Sequence, residues 1–337
     1  MGAVTDLSVI VVNWNTCRLL EACLQSVEVT RETLAVDVIV VDNGSTDGSV
    51  ELVRTRFPLV ELIANASNRG FAAANNQAVE RARGRYLFLL NSDAEVEAAA
   101  LRTLVVYADD HRQAGVIGPK LLNPDGTLQP SGAKFPTPAS TVASLLGLQR
   151  LTGRPRYGTK RDYDRPAEVD EVSGAAMLIR REVIRQVGGL DEGFAWGYED
   201  VDFCLRAKRA GWQVHYVPAA RVVHQWGGSQ RLAPAPTILK AIAGRRSYFQ
   251  KHYGRLTASI VMTATFISHL MRLLIFAGGG LRSRGLRERA RTELAVLRDF
   301  PKNFPSPSDG GQNLPSPPDS GQNSFPSPSG GGQGGGS

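Results

Sequence analysis

Amide and carboxylate side chains follow each of four apolar runs in the N-terminal part of the chain. These polar segments are Asn13–Asn15, Asp42–Gly48, Asn65–Gly70 and Asn91–Glu95. Asn, Asp, Ser and Gly are also the ordinary residues of turns and helix caps, and for any one segment that explanation would suffice. Four successive occurrences favour a shared site instead. In such a site Asp42 could accept a hydrogen bond from a nucleobase, and Asp93 could bind a hard divalent ion that bridges a diphosphate.

A second group of acids lies near position 200, where Glu199, Asp200 and Asp202 fall within a few residues of one another. If a helix starts here, its dipole favours acids in the first turn, and that alone could account for one or two of them. The preceding Trp196 could stack on a sugar ring, and a neighbouring carboxylate beneath an acceptor hydroxyl could act as general base. Farther along, His224 could complete a metal site, although a lone histidine is more often structural.

Strand-like and helix-like patterns alternate through the N-terminal part, and they decide where the polar segments lie. Runs rich in aliphatic and aromatic residues predict strands at Leu7–Val12, Val36–Val41, Val60–Ile63 and Tyr86–Leu90. Helical spacing of apolar residues predicts helices at Cys17–Val27, Ser49–Arg56 and Phe71–Arg83. Strands separated by helices form right-handed βαβ units, so the predicted fold class is α/β, with a mostly parallel central sheet and helices on both faces. Ligands collect at the carboxyl ends of the strands in such sheets.

The pattern loosens between about Pro119 and Glu168, with a turn at Pro124–Gly126, and becomes regular again afterwards. The elements predicted beyond it are a strand at Asp170–Ile179, a helix at Arg181–Val187, a helix at Tyr198–Ala210, a strand at Trp212–Val217 and a strand ending at His224.

The C-terminal part of the chain differs from the rest in composition. Leu256–Gly278 is apolar apart from His269 and Arg272, and basic residues outnumber acidic ones in the stretch that follows. Such a segment suits either peripheral attachment to an anionic membrane surface or an amphipathic helix packed on the domain, and both stay open. The final residues repeat Pro, Ser, Gly and Gln, which cannot bury enough apolar surface to fold. We expect a catalytic domain over 1–250, a helical segment over 251–300 and a disordered tail over 301–337.

Composition and missing motifs exclude several classes of protein. The chain has 337 residues, 42% of them hydrophobic, and three cysteines without paired zinc spacing, which favours a reducing compartment. Met1–Asp6 lacks the basic start of a secretory signal, so we expect a cytoplasmic location. No Gly-x-Gly-x-x-Gly follows the first strand and no Gly-x-x-x-x-Gly-Lys occurs, which argues against a dinucleotide dehydrogenase and a P-loop NTPase. The net charge of +7 does not indicate nucleic-acid binding, because the basic stretch lies outside the predicted domain.

Taken together, the motifs resemble those of the inverting family 2 glycosyltransferases with the GT-A fold, and most of all their bacterial rhamnosyltransferase-like branch. The motifs are SVIVVNWN (8–15), VIVVDNGSTDGS (38–49), NRGFAAANN (68–76), YLFLLNSDAEV (86–96), SGAAMLIRREV (173–183), GGLDEGFAWGYEDVDFCLR (188–206) and VVHQWGGS (222–229). Each alone is a weak signal, whereas the set in this order is specific. The resemblance implies a nucleotide-diphosphate sugar donor, a divalent Mg²⁺ or Mn²⁺ ion, and transfer with inversion by a single displacement.

The resemblance also implies a role for each matching position. The residues it places at the donor nucleotide are Asn13, Asn15, Asp42, Asn43, Asn68, Arg69 and Ser92. Those it places at the acceptor are Trp196, Gly197 and Glu199. Asp93 would bind the metal together with His224, and Asp200 matches the catalytic base. The chain departs from the family's Asp-x-Asp motif at its first position, where Asn91 leaves fewer charges on the ion.

By similarity to this branch, the favoured donor is dTDP-rhamnose. The expected acceptor is a glycan or a lipid-linked sugar of the cell envelope at the cytoplasmic face of the inner membrane. Two alternatives stay open. A sugar nucleotidyltransferase would need a Gly-rich phosphate loop with a basic residue after the first strand, where Asn13–Arg18 offers only Arg18. An inactive carbohydrate-binding or assembly subunit would not need to keep both Asp93 and Asp200.

Overall fold

The structure is a computed structural model of the chain, and it describes residues 5–148, 163–194, 196–225, 234–279 and 284–303. The predicted disordered tail lies outside the described residues except at its start, because the last helix continues to Asn303.

Twelve strands and nine α-helices are found in the described part of the chain. The strands are β1 (Leu7–Asn13), β2 (Val36–Asp42), β3 (Glu61–Ala64), β4 (Tyr86–Asn91), β5 (Ala94–Val96), β6 (Ala114–Leu122), β7 (Leu128–Gln129), β8 (Gly132–Ala133), β9 (Ala167–Val169), β10 (Glu171–Val172), β11 (Ala176–Arg180) and β12 (Gln213–His224). The helices are α1 (Cys17–Glu28), α2 (Ser49–Arg56), α3 (Phe71–Arg81), α4 (Ala100–Asp110), α5 (Pro138–Leu145), α6 (Arg181–Val187), α7 (Glu199–Arg209), α8 (Pro234–Gly279) and α9 (Arg284–Asn303).

The main sheet has the strand order β3-β2-β1-β4-β11-β6-β12-β5. The predicted βαβ units are confirmed, since β3, β2, β1 and β4 are parallel neighbours joined through helices. Beyond them β11 runs antiparallel to both β4 and β6, and β12 runs parallel to β6. The carboxyl ends of β1, β2 and β4 therefore meet at one edge, as the sequence predicted.

Two apolar cores lie on opposite faces of this sheet, because side chains alternate along each strand. Val9 and Val11 of β1 pack in one core with α1, α2 and α4. Ile10 between them packs in the other core with α3, α6 and α7. Helices on both faces are thus confirmed, and they hold the central strands and their polar ends in fixed positions.

Two strand predictions are wrong. The run Asp170–Ile179 forms two strands, β10 and β11, because the backbone between them turns aside: Ser173 donates its N–H to the Ser131 carbonyl and Gly174 donates its N–H to Asp200. By contrast, the two strands predicted before His224 are one, β12, which continues through an irregularity between Val217 and Arg221. Helix α4 and strand β6, which the sequence analysis did not predict, complete the sheet.

Helix α8 begins at Pro234, well before the apolar run at Leu256, and bends at Gly254, whose φ is 85° and ψ 167°. Tyr248 and Phe249 of α8 are buried against Phe194 and Val201 of the preceding part of the chain. Farther along, α8 pairs with α9 through a small apolar core and through His269, whose Nδ1 lies 2.5 Å from Glu293 Oε2 in a buried contact. One side of the C-terminal helices thus packs on the protein, which is one of the two alternatives left open by the sequence.

Candidate active site

The first component of the site is a buried hydrogen-bonded pair at the ends of β1 and β2. The parallel register places Asn13 opposite Asp42. Asn13 donates its side-chain N–H to Asp42 Oδ2 at 2.8 Å, and Ser45 donates its backbone N–H to Asp42 Oδ1, also at 2.8 Å. Asp42 is 1% exposed and Asn13 fully buried. Both oxygens of this carboxylate therefore hold the loop after β2 in shape.

Asn15 and Asn43 fasten the neighbouring loops to this pair. Asn15 has a left-handed φ of 54°, and its side-chain oxygen accepts the N–H of Thr46 at 2.8 Å. Asn43 accepts a hydrogen bond from Asn65 at 3.0 Å and donates one to the Gly70 carbonyl at 3.2 Å. The loops after β1, β2 and β3 are thus one connected surface.

Asn68, Arg69 and Ser92 lie on the same connected surface. Asn68 and Arg69 are exposed beside Asn43, and the Arg69 backbone nitrogen is 3.5 Å from the Asn43 side-chain oxygen. Ser92 Oγ lies 2.8 Å from the hydroxyl of Thr16. The structure therefore brings together all seven residues predicted at the donor nucleotide.

Asp93 and His224 meet beside this surface. Strand β12 pairs with β5 so that His224 is opposite Ala94, and His224 Nε2 lies 3.2 Å from Asp93 Oδ1. Asn91, in the first position of the family motif, contributes a side-chain nitrogen 3.3 Å from the same Nε2. Both predicted metal ligands are thus adjacent, although they come from opposite ends of the domain sequence.

This pair fits a divalent ion. Two ligand atoms at neighbouring corners of an octahedral Mg²⁺ site are about 3 Å apart, given bond lengths of roughly 2.0–2.1 Å. The observed separation of 3.2 Å between Nε2 and Oδ1 is close to that value. Among the described residues no group of three or more His, Cys, Asp or Glu side chains is arranged to hold a metal. An ion here would complete its coordination with phosphate and water oxygens, as Mg²⁺ commonly does.

Asp200 faces the same strand ends from the first turn of α7. Its Oδ2 accepts the N–H of Gly174 at 2.9 Å, in the short segment between β10 and β11. The next residue, Ala175, accepts the N–H of Asn91 at 2.9 Å. Asp200 is therefore linked to His224 of the Asp93–His224 pair through four consecutive steps, by way of Gly174, Ala175 and Asn91. Gly174 permits this approach, because a Cβ at that position would lie 3.3 Å from the Asp200 Cβ.

Glu199 differs from Asp200 in its surroundings. It is 8% exposed, and its Oε2 has no hydrogen-bond partner in the part of the chain that the structure describes. Burial, and next the charge of Asp200, raise the pKa of Glu199 to about 8. At neutral pH Glu199 is thus mainly a neutral acid beside Asp200.

Left-handed backbone precedes these acids. Gly197 and Tyr198 both have a φ of 74°, which is unfavourable for tyrosine. Helix α8 supports this loop from behind: Arg245 donates to the Tyr198 hydroxyl at 3.3 Å, and a Cβ at Gly244 would lie 2.5 Å from the Gly197 carbonyl oxygen. The loop with Trp196 and Gly197, predicted at the acceptor, is therefore held by α8.

A buried charge cluster joins α7 to α8 one turn farther along. The Asp202 carboxylate is fully buried and accepts hydrogen bonds from Arg206 at 2.8 Å and from His252 at 2.8 Å, and it lies 2.7 Å from Lys251 Nζ. Burial raises the pKa of Asp202, but Lys251 and Arg206 outweigh that effect and hold it below its ordinary range. Asp202 therefore has a structural role here, as the helix-dipole explanation allowed.

Four residues of this site were not predicted from the sequence: Gly174, Gly244, Arg245, and Gln129, whose side-chain oxygen lies 2.7 Å from His224 Nδ1. Gly174 lies within the quoted SGAAMLIRREV motif, so its position could have been noticed. The other three act through contacts between distant parts of the chain, and no local sequence pattern marks such contacts.

Comparison with known proteins agrees with this geometry. Residues 8–188, more than half of the chain, match the family described as Glycosyl transferase family 2. The chain belongs to this family. It is a glycosyltransferase of the rhamnosyltransferase-like branch, as the motifs indicated. Residues 154–226 also match a family described as the N-terminal domain of galactosyltransferase.

Two relatives and one solved structure define the similarity. The N-acetylglucosaminyl-diphospho-decaprenol L-rhamnosyltransferase of Mycobacterium tuberculosis is 30% identical over 243 residues, covering 68% of this chain and 79% of the relative. The rhamnosyltransferase WbbL of Escherichia coli is 30% identical over 164 residues, covering 46% of this chain and 60% of the relative. A mannosyltransferase structure from Pyrobaculum calidifontis, in complex with GDP-Man and Mn²⁺, superposes with a TM-score of 0.50 and 18% identity, covering 90% of this chain and 88% of the other. The GT-A fold is thereby confirmed.

Proposed function

We propose that this glycosyltransferase moves rhamnose, or a related hexose, from a nucleotide-diphosphate donor, dTDP-rhamnose in the favoured case, to a hydroxyl of a lipid-linked or glycan acceptor in cell-envelope polysaccharide synthesis. The observation that carries the proposal is the placement of Asp200 and of the Asp93–His224 pair at one sheet edge, linked through Gly174, Ala175 and Asn91. The names of both relatives, each a rhamnosyltransferase, support the choice of sugar.

Asp93 and His224 would hold a divalent Mg²⁺ or Mn²⁺ ion, as the Mn²⁺ complex of the structural relative suggests. When bound, the ion would neutralise charge on the departing nucleoside diphosphate. Asn15, Asn68, Arg69 and Ser92 would contact the nucleotide and its diphosphate. The buried residues Asn13, Asp42 and Asn43 would form the floor of that site and hold its loops. Their loops are already connected by hydrogen bonds, so little ordering would be required when the donor binds.

Asp200 would act as the base. The acceptor hydroxyl gives its proton to the Asp200 carboxylate while its oxygen bonds to the anomeric carbon. The bond from that carbon to the diphosphate oxygen breaks, and the diphosphate leaves with the electron pair, so the anomeric configuration inverts. Glu199 stays mainly protonated at neutral pH and leaves Asp200 as the carboxylate that receives the proton. Trp196 and Gly197 would shape the acceptor side.

A donor screen tests this function. The enzyme would be incubated with dTDP-rhamnose, UDP-glucose or GDP-mannose, with Mg²⁺ or Mn²⁺, and an isoprenoid diphosphate-linked N-acetylglucosamine acceptor. We expect acceptor-dependent release of dTDP and a donor-dependent rise in melting temperature. A thermal shift without any transfer would indicate an inactive binding subunit. Transfer of a nucleotidyl group to a sugar phosphate would instead indicate the nucleotidyltransferase.

We also propose that α8 rests on the cytoplasmic face of an anionic membrane, where a lipid-linked acceptor would lie. The side of α8 that faces away from the protein exposes aliphatic side chains at helical spacing, namely Leu256, Ile260, Ile267, Leu270, Met271, Leu274 and Ile275. Exposed arginines lie in the same helix, at Arg255 and Arg272, and in α9, at Arg287, Arg289 and Arg291. This combination matches an interfacial helix on anionic lipid.

By length and apolar composition α8 could also cross a membrane, a property that buried helices of soluble proteins share. The buried contact of His269 with Glu293, and the packing of Tyr248 and Phe249, favour a position along the surface instead.

Vesicle flotation tests the membrane proposal. The full chain should float with phosphatidylglycerol vesicles and remain below phosphatidylcholine vesicles, and a Leu274→Gln, Ile275→Gln variant should lose flotation. Leu59→Gln is the matched control, because Leu59 is 73% exposed and lies far along the chain from α8. Equal flotation of the double variant and this control would contradict the proposal.

A further inference from the structure

A row of polar side chains connects His224 to the turn between β6 and β7. His224 Nδ1 lies 2.7 Å from Gln129 Oε1, and Gln129 donates its side-chain N–H to Asn123 Oδ1 at 3.0 Å. Asn123 donates to the Thr127 hydroxyl oxygen at 2.9 Å, and that hydroxyl donates to Asp125 Oδ1 at 2.5 Å. Gln129 and His224 are both buried, with 5% and 7% exposure, so water does not compete strongly for the contact between these two side chains.

The direction of each hydrogen bond in this row follows from its far end. An ionised Asp125 carboxylate can only accept, so the single hydroxyl proton of Thr127 points to it. The Thr127 oxygen must then accept from the Asn123 NH₂ group, which leaves Asn123 Oδ1 to accept from Gln129. Gln129 consequently presents its Oε1 to His224, and an oxygen at that position requires a proton on Nδ1.

In the neutral ring, the opposite nitrogen then keeps its lone pair. Nε2 is the atom that faces Asp93 Oδ1 at 3.2 Å, and the Asn91 side-chain nitrogen at 3.3 Å can donate to it. A neutral imidazole binds a metal through an unprotonated nitrogen, and a hydrogen bond from the other nitrogen orients the ring.

We propose that Gln129 is a positioning residue that fixes His224 in the Nδ1–H tautomer, with the turn at Asn123–Thr127 setting its polarity, so that Nε2 is prepared to bind a divalent ion beside Asp93. The inference rests on the metal site proposed above. It adds that this readiness is built into the protein before donor or ion arrives. Gln129 would therefore affect metal affinity without touching the metal, the donor or the acceptor.

The tautomer can be measured directly in metal-free protein. The chain has five histidines, so the ring nitrogens of a ¹⁵N-histidine-labelled sample can be resolved by long-range ¹H–¹⁵N correlation, with His224→Gln identifying the signal. In a sample whose pH is well above the ordinary imidazole pKa, so that the rings are neutral, we expect the Nδ1–H pattern for His224. In Gln129→Leu the fixed acceptor is lost, and the ring should shift toward Nε2–H, which Asp93 can accept.

Metal affinity gives the second readout. Titration with Mn²⁺ alone, followed by the electron paramagnetic resonance of the free ion, should show about 10–100-fold weaker binding in Gln129→Leu. Gln129→Glu keeps an acceptor for Nδ1–H and should retain both the tautomer and most of the affinity. The matched control is Ser131→Ala, which removes a neighbouring buried hydrogen bond, to the Pro119 carbonyl at 3.0 Å, outside this row.

An Nε2–H tautomer in the wild-type protein would overturn the proposal, and this result requires no variant. So would Mn²⁺ affinity in Gln129→Leu equal to that of Ser131→Ala. If Gln129→Leu does not fold, the tautomer of His224 in the wild-type protein still decides. Neither readout depends on transfer, so a failed donor screen would count against the proposed function alone.

Discussion

The proposed donor side and the proposed acceptor side of this site are built in different ways. On the donor side, amide and hydroxyl groups at consecutive strand ends bond to one another and to Asp42, and the parallel sheet alone places them together. On the acceptor side, Asp200 and the Trp196–Tyr198 loop depend on contacts with the β10–β11 segment and with α8. One side is thus positioned by the sheet, the other by elements distant in sequence. Perturbing α8 should therefore weaken use of the acceptor and leave binding of the donor unchanged.

The largest expected effect is that of Asp200→Asn. If Asp200 is the proposed general base, its removal should lower kcat by about 10²–10⁴-fold, because the acceptor hydroxyl then loses its proton acceptor. Donor affinity, measured by calorimetry with donor and metal, should stay unchanged, since Asp200 belongs to the acceptor side. Asp110→Asn, at the exposed end of α4, is the control for loss of one carboxylate. Near-full activity of Asp200→Asn would show that the base is another group.

Asp93→Ala tests the donor side. Loss of a residue that only hydrogen-bonds to a metal ligand typically weakens metal binding by about 10–100-fold. Asp93 would be a direct ligand, so its loss should weaken Mn²⁺ binding by about 100-fold, the upper end of that range. Metal-dependent donor binding should weaken with it, whereas metal-independent nucleotide binding should not. Calorimetry with dTDP, in the presence and absence of Mn²⁺, separates the two. Unchanged metal dependence in the variant would remove Asp93 from the site.

Asp202→Asn tests the connection between α7 and α8. The variant weakens hydrogen bonds to charged groups and should therefore be less stable than the wild type by about 2 kcal/mol at neutral pH. This value is reduced because Lys251 is partly exposed. The pKa of Asp202 is depressed in the folded protein, so its contribution exists above the unfolded-state pKa of about 3.9 and disappears as the pH falls through the lower folded value.

Urea denaturation of both proteins at neutral and acidic pH measures this difference. The gap in unfolding free energy should be full at neutral pH and shrink progressively below about pH 4. A gap that stays constant across that range would mean that Asp202 stabilises the protein by packing rather than by its charge.

The smallest expected effect, and the sharpest test of the comparison, is that of Gly244→Ala. The added Cβ would lie 2.5 Å from the Gly197 carbonyl oxygen and 2.7 Å from that of Trp196, so the acceptor loop must shift. We expect about a tenfold loss in kcat/KM for the acceptor, since small displacements of reacting groups are costly. Gly278→Ala, in the same helix with open space around it, is the control. An equal loss in donor affinity would contradict the separation of the two sides.

The donor side could be predicted from sequence because its determinants are local. Asn13 and Asp42 each end an apolar run, and the pairing of β1 with β2 follows from βαβ geometry. On the acceptor side only the residue types could be predicted. The role of Gln129 depends on a contact across 95 positions, and that of Gly244 on the packing of a helix whose start was not predicted. The run Asp170–Ile179 was predicted as one strand because its apolar pattern does not show that the Gly174 N–H bonds to Asp200 instead of to a neighbouring strand.

The bend at Gly254 bears on how this enzyme could diversify. The segment of α8 before the bend supports the loop beside Asp200, and the segment after it carries the outward aliphatic face. The positive φ of Gly254, which few residues other than glycine adopt, thus sets the angle between the active site and that outer face. Evolution could retune this angle, and with it the reach toward longer or shorter carriers, while every group that handles the sugar stayed as it is.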